Sequence, residues 1–183
     1  PLPPPQANRI ERAVGPGHFV PGATYINALV EQPGEILLRA NNMTSFGETD
    51  GSVTPRVQQI VTVFQNAGID VALRKDMRSF LWEKFVAICC LGGAEMLARQ
   101  PLGPVLATPE CRALLEGLLQ EVIHVAHATG VSLSPELPDQ LMDLISNRLP
   151  PTHRTSTFTD LIDGKHMELE ALNGTVVRLG RGH

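Results

Sequence analysis

Four groups of residues in this chain have side chains and spacings suited to chemistry. Leu81-Trp82-Glu83-Lys84 opens the most apolar stretch of the sequence. A lysine at the edge of such a stretch has two readings. It snorkels to water, or it sits partly desolvated beside a cleft and donates a hydrogen bond or proton to a substrate oxygen. Thr155-Ser156-Thr157, with Asp160 behind it, puts several hydroxyls at an expected helix start. That pattern serves as an N-cap, and the same geometry suits a carboxylate. Glu168 and Glu170 precede Asn173-Gly174. Acids in a first helical turn are stabilising there, and one that faces a cleft can accept a hydrogen bond from a substrate hydroxyl. His124 and His127 lie three apart on an expected helix. No third ligand has matching spacing, so no metal site is expected.

Other chemistries lack their motifs. There is no G-x-G-x-x-G after a strand, no Walker loop, no C-x-x-C and no G-x-S-x-G. The three cysteines, with Cys89 and Cys90 adjacent among apolar neighbours, read as reduced, buried thiols of a cytoplasmic protein. The net charge of −4, from 15 Lys+Arg against 19 Asp+Glu, argues against a nucleic-acid partner or a polybasic membrane contact. The longest apolar run, around Phe85 to Gly93, falls well short of the ~20 residues of a spanning helix. No basic start followed by an apolar segment marks a secretory signal. The first residue is Pro rather than Met, so further sequence is expected upstream.

These residues must be positioned by elements that the pattern also predicts. The proline run at residues 3–5 suits an extended segment, and a short helix is expected over Ala7–Val14. Strands are expected at Gly22–Val30 and Glu35–Ala40 around a Gln32-Pro33-Gly34 turn, then a separate short strand at Met43–Phe46. Thr54-Pro55 opens a helix that stops near Gly68, and Ile69–Leu73 reads as one more strand. Beyond Asp76 the strand signals fade. Ser79–Met96 is apolar almost all round, as suits a buried central helix. Helices are expected from Thr108-Pro109-Glu110 to Gly130, from Ser134-Pro135-Glu136 through Ile145, and over Glu168–Leu179. The chain therefore divides near residue 75 into a β-rich part with one helix and an all-helical part.

Taken in order, Leu81-Trp82-Glu83-Lys84-Phe85, Thr155-Ser156 with Asp160, Gly164-Lys165 and Glu168-Leu169-Glu170-Ala171-Leu172-Asn173-Gly174 resemble the C-terminal domain of ketopantoate reductases (2-dehydropantoate 2-reductases). Gly22-Ala23-Thr24-Tyr25-Ile26, Pro33-Gly34-Glu35-Ile36 and Phe46-Gly47-Glu48 look like the last strands of that family's cofactor domain. The resemblance implies an α+β fragment. Residues 1–75 would be terminal strands of a Rossmann-type NADPH domain. Residues 76–183 would be an all-α substrate and catalytic domain similar to the C-terminal domain of 6-phosphogluconate dehydrogenase. It implies an active site in the cleft between the two, and a phosphate-binding glycine loop upstream of Pro1. The family's cofactor-side Asn-Gly has no counterpart in Pro1-Leu2-Pro3.

The resemblance also implies roles. Lys84 would protonate the ketone oxygen as NADPH delivers hydride, Glu168 would orient the substrate hydroxyl and the lysine, and Ser156 would contact the substrate carboxylate. The chain departs from the family where asparagines are usual, carrying Ile88 and Gly92 one and two turns after the lysine and Leu102 near the next loop. Fewer amides make a more apolar pocket, which favours a different or bulkier acyl group. The expected activity is reduction of ketopantoate to pantoate, on the route to pantothenate and coenzyme A, with a small 2-oxo acid as ligand and a homodimer as one arrangement. Two alternatives stay open. One is a reductase of another 2-oxo or 3-hydroxy acid. The other is a non-catalytic helical dimerisation module that uses Leu118 and Val122.

Overall fold

The computed structural model describes residues 5–15 and 17–182. Of the expected extended run at residues 3–5, Pro3 and Pro4 lie outside them, as does the Pro1-Leu2-Pro3 comparison; Pro5 is not extended but opens a helix, a first-turn position where its missing N–H costs nothing. The described residues form two compact units, one of Arg9–Leu81 and one that starts at Trp82 and takes in residues 5–8.

Helix α1 spans Pro5–Val14 and leads into the strands of the first unit, β1 (Gly22–Gln32) and β2 (Glu35–Phe46). The two strands pair antiparallel from Gly22 opposite Phe46 to Gln32 opposite Glu35. The connection turns at Gly34, whose φ of 89° is the left-handed conformation that glycine adopts without strain. The separate strand expected at Met43–Phe46 is instead the end of β2. Register shifts in the ladder, including one between Thr24 and Ile26, let the two long strands stay paired across the irregularity. Helix α2 (Pro55–Asn66) starts as the sequence predicts, with the Thr54 hydroxyl accepting a hydrogen bond from Val57 N and Pro55 in the first turn. β3 (Val71–Leu73) then pairs parallel to β2, Thr44 opposite Val71, giving sheet order β1-β2-β3. The expected strand began at Ile69, but Asp70 uses its carbonyl to receive Thr44 N at 2.9 Å as the ladder starts. α2 closes over the sheet through an edge-to-face pair of Phe46 and Phe64, centroids 4.9 Å apart. Its start is fixed by buried Glu48, which accepts from Arg56 Nε at 2.8 Å and from the Thr54 hydroxyl.

The second unit is helical. α3 (Met77–Ala98) contributes to its core from Trp82 onward and is apolar almost all round, as its sequence predicts. Trp82, Phe85, Val86, Cys89, Cys90 and Ala94 all enter the core. Each large apolar side chain buried there contributes about 1.5–3 kcal/mol. α4 (Leu102–Ala107) is a six-residue helix that the sequence pattern did not suggest. α5 (Pro109–Ala128) packs Leu115, Leu119, Val122 and Ile123 against the core and stops at Gly130, where φ is 79°. Val122 is therefore core, not a surface free to meet a second copy, and Leu118 is half-buried against the same cluster. α6 (Leu137–Asp143) begins after the expected Ser134-Pro135-Glu136 cap and continues as a π-turn over Leu144–Arg148. α7 (Ser156–Ile162) and α8 (Asn173–Gly180) complete the unit. α8 begins five residues later than the expected Glu168 start, because Leu172 takes φ −96° and ψ −96°, which no helix accommodates.

Candidate active site

Steps of four put Lys84, Ile88 and Gly92 along one side of α3, with Glu95 a turn further on. Lys84 is half-buried, and burial pushes its ammonium below the ordinary lysine range. It is thus more willing to give up a proton than a lysine in water. Ile88 is half-buried and Gly92 is buried. A β-carbon on Gly92 would lie 3.6 Å from Thr155 Oγ1 and 3.8 Å from Thr157 Cβ. Gly92 therefore marks where α3 meets the start of α7.

Thr155 caps α7 by accepting from Phe158 N at 3.3 Å. The expected cap is present, and Ser156 is the exposed first residue of α7, between Thr155 and buried Thr157. Asp160 lies one turn on, half-buried, its carbonyl accepting from Lys165 N at 2.8 Å. The loop before α7 is pinned from two directions. Leu102 N donates to His153 O at 3.1 Å and Gly103 N donates to Pro151 O at 2.8 Å. From the other side, Glu95 Oε2 accepts from Thr155 N at 2.7 Å and from Thr155 Oγ1 at 2.8 Å. His153 Nδ1 stands 3.4 Å from Glu95 Oε1. Glu95 is wholly buried, and so is the Leu102 side chain.

Glu168 is exposed and sits in a turn, not in the first turn of a helix. Its carbonyl receives Ala171 N and Leu172 N, both at 3.0 Å. The turn is tied to α3 by Asn173, whose Nδ2 donates to Cys89 O at 3.1 Å. Arg178 ties the turn to α8, donating to the Glu170 carbonyl at 2.6 Å and to its carboxylate at 2.9 Å. The structure thus hangs the Ser156 segment and the Glu168 turn on neighbouring parts of the helix that carries Lys84. Leu102 backs this arrangement from the core.

The remaining candidates lie elsewhere. His124 and His127 are exposed on α5. Among the described residues no three His, Cys, Asp or Glu side chains gather as a metal site, and no helix is long and apolar enough to cross a membrane. Burial pushes the Cys89 thiol up to about 12 and Cys90 upward as well, which keeps both as unreactive thiols, whereas Cys111, expected to be buried with them, is only half-buried because it lies in the first turn of α5. A groove of about 570 Å³ between α5 and α8, lined by residues including Glu121, His124 and Arg181, shares no residue with the Lys84 stripe. The sequence reading missed Glu95 and His153. Glu95 did carry a signal, as an acid inside a run that is otherwise apolar all round must be paired if it is buried.

With this geometry in view, the chain can be set beside known proteins. Residues 76–183 match the model of the family described as ketopantoate reductase PanE/ApbA C terminal. A 2-dehydropantoate 2-reductase of Caulobacter vibrioides is 31% identical over 166 residues, covering 90% of this chain and 54% of its own length. The crystal structure of 2-dehydropantoate 2-reductase from Methylococcus capsulatus superposes with TM-score 0.83 at 26% identity, over 94% of this chain and 55% of that one. The structure of D-mandelate dehydrogenase with NADH shares the fold, with TM-score 0.86 at 17% identity over 97% of this chain and 61% of that one. The chain spans about half the length of the curated relatives it matches. On the family match over its whole helical unit, this chain belongs to the ketopantoate reductase C-terminal family.

Proposed function

We propose that this chain is the substrate-binding part of an NADPH-dependent 2-oxo acid reductase, with ketopantoate as substrate and pantoate as product. The observation that carries the reading is Lys84: a lysine half-desolvated by burial, on a helix to which the Ser156 and Glu168 segments are both hydrogen-bonded. The relatives named as 2-dehydropantoate 2-reductases support the substrate class. The parallel β2-α2-β3 connection in the first unit supports its reading as the end of a Rossmann-type domain, because such crossovers build doubly wound sheets. The second unit is read as the all-helical domain of the 6-phosphogluconate dehydrogenase type.

These residues suit the carbonyl end of the reaction. None forms a glycine-rich phosphate loop after a strand, so the dinucleotide's phosphates are not assigned to them. The nicotinamide supplies the hydride when bound. Lys84 Nζ then gives a proton to the oxygen that receives the carbonyl π pair, leaving a 2-hydroxy acid and a neutral amine. A positioned ammonium stabilises the charge that builds on that oxygen. Ser156 donates its hydroxyl to the substrate carboxylate, and Glu168 accepts from the substrate hydroxyl and orients the lysine.

The test is NADPH oxidation with ketopantoate by the full-length protein, with Lys84→Ala beside it. The variant should keep its circular dichroism spectrum and lose turnover by roughly 10²–10⁴-fold, the usual worth of a positioned acid. Wild-type turnover in the variant would remove Lys84 from the mechanism. A second reading, reduction of another 2-oxo acid, is favoured by one observation. Ile88, Gly92 and Leu102 offer no side-chain amide where the resemblance implies one, and Gly92 and Leu102 are fully packed. A folded, NADPH-binding protein that reduces a bulkier 2-oxo acid but not ketopantoate would establish that reading.

A further inference from the structure

We infer that Glu95 is a positioning residue for the carboxylate end of the substrate, acting through Thr155 on Ser156. The inference rests on the reductase reading above and assigns a role to a residue outside the catalytic set. Glu95 is wholly buried in the last turn of an apolar helix, where an unpaired carboxylate is strongly unfavourable. It is retained with its partners drawn from one short segment. Oε2 takes both the backbone N–H and the hydroxyl of Thr155, at 2.7 and 2.8 Å, and Oε1 faces His153 Nδ1 at 3.4 Å. The Thr155 hydroxyl is used twice. It donates to Glu95 and accepts from Phe158 N at 3.3 Å. Charge-assisted bonds of this kind are roughly twice as strong as neutral ones.

The geometry explains why an acid stands at this position. Gly92, one turn earlier, faces the same segment: a β-carbon there would lie 3.6 Å from Thr155 Oγ1 and 3.8 Å from Thr157 Cβ, so α3 and the start of α7 are in register for contact. The chain there is aimed by the residue on either side of the contact. Glu95 fixes the residue immediately before Ser156, so the direction of the Ser156 hydroxyl depends on a bond to the helix that carries Lys84. A shift of about 1 Å in such a group can cost 10²-fold in rate.

Glu95→Ala removes both acceptors. Glu95→Gln keeps one oxygen for Thr155 and turns its amide to His153. In steady-state assays with the 2-oxo acid, E95A should raise KM by about 10-fold or more with kcat kept within about 3-fold, and E95Q should restore KM. The uncharged amide of the same 2-oxo acid should show no such rise. A folded E95A with wild-type KM overturns the inference, as does an equal loss on acid and amide, which marks a purely structural role. Should E95A fail to fold, Thr155→Ser is the control that keeps both hydroxyl bonds, and Thr155→Val keeps the backbone N–H bond but removes the hydroxyl link to Glu95 together with the cap on Phe158. Thr155→Val should raise KM in the same direction, and an unchanged KM there overturns the inference equally. Hydrogen exchange on the variants reads the holding step without turnover. Thr155 and Phe158 amides should exchange faster in E95A and near the wild-type rate in E95Q. Absence of any turnover by the wild type sinks the reductase reading alone, whereas unchanged exchange in E95A sinks this inference alone.

Discussion

Two adjacent glycines in α3 make opposite predictions, because their surroundings differ by a few tenths of an ångström. At Gly92 a new β-carbon would meet nothing closer than Thr155 Oγ1 at 3.6 Å, which is ordinary contact. Gly92→Ala therefore gains the helix-interior preference of alanine, about 0.5–1 kcal/mol, and buries a methyl without strain. At Gly93 the same atom would stand 3.2 Å from Leu118 Cδ1 and 3.3 Å from Asn173 Nδ2. Overpacking of that kind costs about 1–3 kcal/mol, and it also presses on the Asn173–Cys89 bond, worth about 1 kcal/mol net. Gly92→Ala should stabilise by about 1 kcal/mol and Gly93→Ala should destabilise by about 1–2 kcal/mol. In a protein of this size the first figure is a rise of about 2–4 °C in Tm. The assay is urea and thermal unfolding followed by fluorescence of Trp82, the one tryptophan, which is fully buried in this unit. Equal stability changes in the two variants, or a destabilised Gly92→Ala, would refute the packing argument.

Three further outcomes follow from the same structure. Lys84 must be protonated to act as an acid, and burial lowers its pKa, so ketone reduction should be full below that lowered value and decline as pH rises through it. The decline should begin at lower pH than an ordinary lysine gives, and Lys84→Arg should show residual activity with no alkaline decline; a flat wild-type profile up to pH ~10 would contradict the assignment. Iodoacetamide at neutral pH should label half-exposed Cys111 and spare buried Cys89 and Cys90, read by peptide mass spectrometry; early labelling of Cys89 would show that the core opens. Glu48 is held below the usual carboxylate range, first by its hydrogen bond from Arg56 and then by that from Thr54. Its stability contribution is present above the unfolded glutamate pKa of ~4.3 and is lost as pH falls through the lowered folded value. Arg56→Met should raise the pH midpoint of acid unfolding in the Arg9–Leu81 unit, and an unmoved midpoint would show that the pair contributes nothing.

What the sequence disclosed depended on whether the cause was local. Thr54-Pro55 and Gly34 act within a few residues, and their helix start and turn are where the pattern put them. Glu168 was expected to open a helix on the same local logic, but α8 starts at Asn173, whose side chain is committed to Cys89 O, a partner 84 residues away. α4 has no side-chain cap and only six residues, too few for a periodic signal. β2 runs through Asn41-Asn42, residue types that normally end a strand, because β1 stays paired alongside with shifted register.

The candidate site divides along the same line. Lys84, Ser156 and Glu168 stand out by type and order in the chain, so a resemblance could find them. The parts that hold them do not stand out. Glu95 and Leu102 are single residues whose meaning comes from a loop about 50 to 60 residues further on, the loop that carries His153. The residues proposed to touch substrate read as motifs. Residues that aim them read as anomalies, such as an acid in an apolar helix, and become interpretable only when their partners are seen. On the proposed reading, the substrate question therefore turns on how the Thr155–Thr157 segment is aimed as much as on Lys84. The comparison of E95A with E95Q tests that aim, because E95Q returns to Thr155 the acceptor that E95A lacks, and both variants keep Lys84, Ser156 and Glu168.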